Sequence, residues 1–152
     1  MDLGARRIGL AISDATGLLA RPLKTLTVTA RDAMDQLIRE VETLSVDGLD
    51  LIVVGVPRRL DGTPSDGTAR ALAFIQALRA RTAVAVVGED ERLTSREAEQ
   101  RLALRQRDWR KRKAQLDAAA AAVFLQDYLD RPKLDVPDLP KSDVAITEPP
   151  ER

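Results

Sequence analysis

Leu49-Asp50-Leu51-Ile52-Val53-Val54-Gly55-Val56, closed by Pro57, decides the fold. A near-continuous apolar run of this kind reads as a buried central strand, parallel to its neighbour. Upstream, Arg7–Ser13 (R-I-G-L-A-I-S) sets Ile8, Leu10 and Ile12 against the small residues Gly9 and Ala11, the alternation of a strand packed on one face. Thr25–Val28 is a second short β-rich run. Asp14–Gly17 and Arg21-Pro22 supply turn chemistry between the two, so an antiparallel hairpin is expected, with room for a third strand. Downstream of the central run, Arg58–Gly67 reads as a loop and Ala83–Val87 as another strand. Gly88–Thr94 leaves that strand carrying a dense set of charges.

Helices are expected in four places. Met34, Leu37, Ile38, Val41 and Leu44 fall at helical intervals within Arg31–Leu44, with Thr29 or Asp32 as the cap. Thr68–Arg81 carries an apolar side of Ala71, Phe74, Ile75 and Leu78. Ser95–Leu104 is expected to be helical, Arg105–Lys113 to be a basic connection, and Ala114–Leu129 to be a long Ala-rich helix. Hairpin strands followed by alternating strand and helix give a mixed α/β sheet flanked by helices. From Arg131 the composition turns to Pro, Asp, Lys and Ser without periodicity. The expected organisation is therefore one domain over residues 1–130 and a disordered tail over 131–152.

Composition narrows the chemistry. The 152 residues include no cysteine and no histidine, which excludes thiolate and His-ligated zinc, cysteine nucleophiles and the Ser-His-Asp triad. Catalysis must then rest on carboxylates, Lys, Arg, hydroxyls, or a metal held by oxygen. Lys and Arg number 24 and so do Asp and Glu, so affinity for nucleic acid requires a local patch, not a global field. No apolar run spans a bilayer and no leader is apparent, so a cytoplasmic protein with no membrane partner is expected.

Four features can carry chemistry, each beside a plainer reading. Asp90-Glu91-Arg92-Leu93-Thr94-Ser95 places adjacent carboxylates at a strand end, which repel unless a hard cation or a proton intervenes. The plainer reading is a solvated turn capped by Thr94. Asp2-Leu3-Gly4 puts an acid next to a glycine that lets phosphate or metal approach the backbone, or is an N-terminal residue without a role. Asp117 opens a run of small residues that lets a helix lie close to a sheet, or is an ordinary exposed acid. Between Arg101 and Lys113, seven cations stand against Asp108 alone. That block suits phosphate binding, with Trp109 available to stack on a base, or is a charge run that discourages aggregation. Asp61 in the Arg58–Gly67 loop is a further ligand candidate, although Asp-Gly is more often a turn.

In order and spacing, these pieces resemble the YqgF/RuvX-type family of ribonuclease H-like nucleases. The resemblance is carried by Asp2–Asp14 (D-L-G-A-R-R-I-G-L-A-I-S-D), Ala20–Leu23 (A-R-P-L), Val53–Thr63 (V-V-G-V-P-R-R-L-D-G-T), Asp90–Ser95 and Lys111–Ala121 (K-R-K-A-Q-L-D-A-A-A-A). It implies a ribonuclease H-like mixed sheet whose first three strands are antiparallel and the rest parallel. It also implies a nuclease maturing the 5′ end of pre-16S ribosomal RNA or, on an older reading, a Holliday junction resolvase. The acidic positions of the family fall on Asp2, the Asp90–Glu91 pair and Asp117. The chain departs from the pattern in three places. Asp2 directly follows Met1, where family members carry an apolar half-strand, so Asp2 is expected on a frayed end and an in-frame upstream extension is expected in the gene. Ala5 stands where Thr is common, and Arg59 where Asn is common.

The expected mechanism is two-metal phosphodiester hydrolysis with Mg²⁺ or Mn²⁺, one ion activating water and the other stabilising the leaving oxygen. Asp2 would bridge, Glu91 and Asp117 would each hold one side, and Asp90 would be a second ligand or would support the ligands from behind without touching the metal. Arg6, Arg92, Arg110, Lys111, Arg112 and Lys113 would hold phosphates. The partner would be a structured RNA or a branched DNA, read by backbone and shape. A homodimer stays open. Two other classes stand beside the enzyme: a non-catalytic nucleic-acid binder acting in transcription, and a sugar-kinase or actin-type ATPase. The latter needs two such domains around a cleft.

Overall fold

The computed structural model describes residues 1–91 and 109–131. Its strands are β1 (Asp2–Leu3), β2 (Arg7–Ser13), β3 (Ala20–Thr27), β4 (Leu51–Val56) and β5 (Ala85–Asp90). Its helices are α1 (Ala33–Ser45), α2 (Asp66–Arg79) and α3 (Trp109–Asp130). β1, β2 and β3 are antiparallel in that order, and β4 and β5 are parallel. Met1 joins the two sets. Its amino group donates to the Val53 carbonyl at 2.5 Å, and the Gly55 N–H donates to the Met1 carbonyl at 3.0 Å. Two bonds flanking Val54 in this way are a parallel rung, so the strands run β3-β2-β1-β4-β5 across one mixed sheet. This is the ribonuclease H-like arrangement that the resemblance implies.

One face of the sheet carries the main core. Ile8 and Leu10 of β2, Met1, Ile52, Val54 and Val56 of β4, and Val86 of β5 pack with Leu37, Ile38 and Val41 of α1 and Ala71, Ile75 and Leu78 of α2. Ile8, Leu37, Leu78 and Val54 are the largest side chains with almost no exposure. Burial of each is worth about 1.5–3 kcal/mol. The opposite face is covered by α3, whose buried residues are mostly alanines: Ala118, Ala119, Ala121, Ala122 and then Phe124. With so little side chain between them, helix and sheet come within backbone contact. Gln126 ties the far end of α3 to the hairpin, donating to the Leu18 carbonyl at 2.9 Å and accepting from the Ala20 N–H at 2.8 Å.

Several expectations shift. β3 starts at Ala20, so Arg21-Pro22 is strand and not turn. β3 is the edge strand and its register with β2 slips between Leu10 and Ala11, which accommodates a proline that lacks a donor. The turn itself is Asp14–Gly17: the Asp14 carboxylate accepts from the N–H groups of Leu18 and Leu19 at 2.9 and 3.1 Å, and Gly17 takes φ 68°. α2 begins at Asp66, ahead of Thr68, because Ser65 and Thr68 form a reciprocal capping box. α3 begins at Trp109, so Arg110–Lys113 form its first turns, not a connection. β5 runs on through Glu89 and Asp90. The Ser95–Leu104 helix, most of the basic block, and the tail from 132 onward lie outside the described residues.

Candidate active site

Three strands and a helix meet around Asp2. The β1–β2 register pairs Asp2 with Gly9, and the Met1 rung sets Asp2 beside Gly55 on β4. Residues in one cross-strand row point to the same face. The Asp2 carboxylate therefore rises from the α3 face with a glycine on each side. Over Gly9 lies the backbone of α3 at Asp117: a Cβ built on Gly9 would overlap the Asp117 carbonyl oxygen and stand 2.5 Å from its carbon. Over Gly55 lies the side chain of Glu91, whose Cγ and Cδ would both be 2.8 Å from a Cβ there. The two bare positions thus seat two further acids, one on each side of Asp2.

One of the acids beside Asp2 is balanced by a protein cation. The Arg7 guanidinium forms an ion pair with the Asp117 carboxylate. Asp2, Gly4, Ala5, Arg6, Arg7 and Asp117 enclose a cleft of about 70 Å³, and within this set the Gly4 N–H donates to the Arg7 carbonyl at 2.8 Å. On the other side, the buried Met1 ammonium has its pKa lowered from 8.0 to about 6 by burial, against the opposing pull of Asp2 and then Glu91. Met1 is therefore not a frayed end: it is buried and bonded at both its backbone polar groups.

Of the residues expected in the site, Asp2, Glu91, Asp117 and Arg6 are brought together. Asp90 is not. Alternation along β5 turns Glu89 and Asp90 to opposite faces, and Asp90 falls on the α2 side, 3.9 Å from the Arg58 Nε. Glu91, one residue on, returns to the face of Asp2. Glu89 shares that face but pairs with Arg131. Asp61 is a turn residue, accepting from the Thr63 N–H at 2.9 Å, with Gly62 at φ 88°. Arg110, Lys111, Arg112 and Lys113 lie on α3 ahead of Asp117, and Arg92 lies outside the described residues. Sequence reading passed over Arg7, Gly9 and Gly55 as site residues. A glycine inside a strand was the available signal, because it marks close approach by another group.

All the acids around Asp2 offer oxygen, which suits a hard divalent cation and not a soft one. The guanidinium on Asp117 occupies a region that calls for positive charge, which is the demand a metal would meet. Among the described residues no three acidic side chains stand close enough to cage an ion as they are. The Arg7 guanidinium holds one of the two Asp117 carboxylate oxygens, Oδ2.

Residues 1–131 match the family model RuvX, described as Holliday junction resolvase. The chain belongs to the RuvX family. Among its relatives, a protein of Desulforudis audaxviator is 35% identical over 133 residues, covering 88% of this chain and 93% of its own. One from Anaeromyxobacter dehalogenans is 40% identical over 131 residues, covering 86% and 94%. One from Xanthomonas oryzae pv. oryzae is 42% identical over 138 residues, covering 86% and 85%. Each carries the name "Putative pre-16S rRNA nuclease". Among the described residues, no helix of this RuvX-family chain is long and apolar enough to cross a membrane.

Proposed function

We propose that this chain is a metal-dependent nuclease of the cytoplasm, that residues 1–130 form its catalytic domain, and that it hydrolyses phosphodiester bonds at the 5′ end of the 16S ribosomal RNA precursor. The observation that carries the reading is the row Gly9–Asp2–Gly55, with Asp117 and Glu91 seated over its two glycines. Three carboxylates supported by three different elements, in a chain with no histidine, match an oxygen-ligated metal better than any general base of the protein's own. Mg²⁺ or Mn²⁺ held there would supply a water of lowered pKa and charge neutralisation at the leaving oxygen.

The residues divide the remaining work. Asp2, on the central strand, stands between the other two acids and would hold the metal together with Glu91 and Asp117. Arg7 lines the cleft beside Arg6, where both guanidiniums would hold the non-bridging oxygens of the scissile phosphate. Arg92 and the α3 residues Arg110, Lys111, Arg112 and Lys113 hold flanking phosphates. Contacts of this type read backbone and shape, which suits a folded RNA.

The family description names a junction resolvase and the relatives' names point to ribosomal RNA. Metal-free protein incubated with a 5′-extended 16S precursor and, separately, with a four-way DNA junction distinguishes the two. The expected result is cleavage of the RNA on addition of Mn²⁺ with the junction left whole. Cleavage of the junction alone would move the assignment to resolvase, and cleavage of neither would leave a non-catalytic nucleic-acid binder.

A further inference from the structure

We infer that Gly9 and Gly55 are positioning residues for the nuclease reaction: they set how deeply the two outer acids seat beside Asp2. The inference rests on the nuclease reading above. The two glycines act on different objects. At Gly9 the atoms that a Cβ would meet are backbone: the Asp117 carbonyl group and, at 3.2 Å, the Ala118 nitrogen. Backbone within a helix cannot step aside alone, so a methyl group there lifts the whole of α3 from β2. At Gly55 the three nearest atoms all belong to the Glu91 side chain, which can swing away while the fold stands. Gly55 also keeps an ordinary strand conformation, since no positive φ is found there, so alanine is acceptable to its backbone.

The geometry makes the two positions consequential. Each lies next to Asp2 in the same row, on opposite sides. Restoring ordinary contact at either site moves an acid by about 1 Å, whereas a metal-binding constellation tolerates about 0.5 Å. A displacement of that size can cost about 100-fold in rate.

Gly55→Ala gives the cleaner test, because it displaces a ligand without disturbing backbone packing. Four full-length metal-free proteins would be compared: parent, Gly55→Ala, Glu91→Asp, and the double variant. Mn²⁺ affinity is read by isothermal titration, stability by thermal melting, and cleavage on the 16S precursor. Gly55→Ala should melt within a few degrees of the parent yet bind Mn²⁺ about 10-fold more weakly and cleave about 100-fold more slowly. The shorter Asp no longer reaches over Gly55, so adding Gly55→Ala to Glu91→Asp should cost far less than adding it to the parent. Gly9→Ala, by contrast, should lower the melting temperature as well as Mn²⁺ affinity. Parent-like binding and cleavage by Gly55→Ala, equal costs in the two Glu91 backgrounds, or a large loss of stability in Gly55→Ala would each overturn the inference. A parent that binds no Mn²⁺ would overturn the nuclease reading itself.

Discussion

The Met1 amino group should make stability depend on pH in a window where little else in this chain titrates. Folded, it is buried against the Val53 carbonyl and its pKa is about 6; unfolded, it returns to 8.0. Between those values the unfolded chain binds more protons than the folded one, so stability rises with pH. Below pH 6 both states are protonated and the fold carries the whole cost of the buried charge. Above pH 8 both are neutral, and the amine still donates to Val53 without a charge. A shift of about two units corresponds to about 3 kcal/mol, on the order of 10 °C in melting temperature.

The window is clean because the chain has neither histidine nor cysteine. The carboxylates of Asp14 and Asp32 are held below the usual range, chiefly by the Thr16 hydroxyl and the Thr29 N–H respectively, and lose their protons well before pH 6. Urea unfolding from pH 5.5 to 8.5, with chelator present, measures the effect. A second chain with a few residues added ahead of Met1 replaces the ammonium with an amide N–H that can make the same bond. The parent should gain about 3 kcal/mol across the window and the extended chain almost nothing. A flat profile in the parent, or equal slopes in both, would refute the claim that a charged group is buried in the β1–β4 rung. The same pair tests the consequence for function: the extended chain should bind Mn²⁺ more tightly near pH 6, where the ammonium otherwise competes for Asp2.

Asp117→Asn should fold like the parent and lose cleavage by at least 100-fold, since it removes a ligand charge but little volume; a parent-like rate would remove Asp117 from the site. Replacing Arg110, Lys111 and Arg112 with Ala should weaken binding alike for unrelated RNA sequences and flatten the plot of log affinity against log salt by up to about three units of slope. A loss confined to one sequence in filter binding would contradict that. Ser65→Ala removes the N-cap of α2 and half of its capping box, so it should cost about 1 kcal/mol in urea unfolding and leave the cleavage rate unchanged. A parent-like unfolding midpoint would deny the cap its role.

The apolar patterns carried the fold. Arg7–Ser13 is β2 to the residue, and the Leu49–Val56 run holds β4, because alternation and a buried β-branched run are direct consequences of which face is covered. The joining of the sheet was less legible. β1 has two residues, too few to show alternation, and its rung to β4 depends on Met1, which no pattern could mark. In the site, the acids were visible as residue types, but their sidedness was not. Reading β5 as ending at Val87 left Asp90 and Glu91 equivalent; the strand in fact continues, and alternation separates them. Arg7 was hidden for a different reason. Its partner is 110 positions away, and nothing local distinguishes it from Arg6. Gly9 and Gly55 were legible as anomalies within strands, but what each makes room for is a property of the packed helix and of Glu91.

The most direct test of the account is the cleavage of a 5′-extended 16S precursor by metal-free protein as Mn²⁺ is titrated in, with Asp2→Asn beside the parent and the new 5′ ends mapped. No cleavage is expected without metal, saturable cleavage at a defined 5′ position with it, and no such product from Asp2→Asn. Cleavage that persists in chelator, or that Asp2→Asn performs at the parent rate, would contradict it.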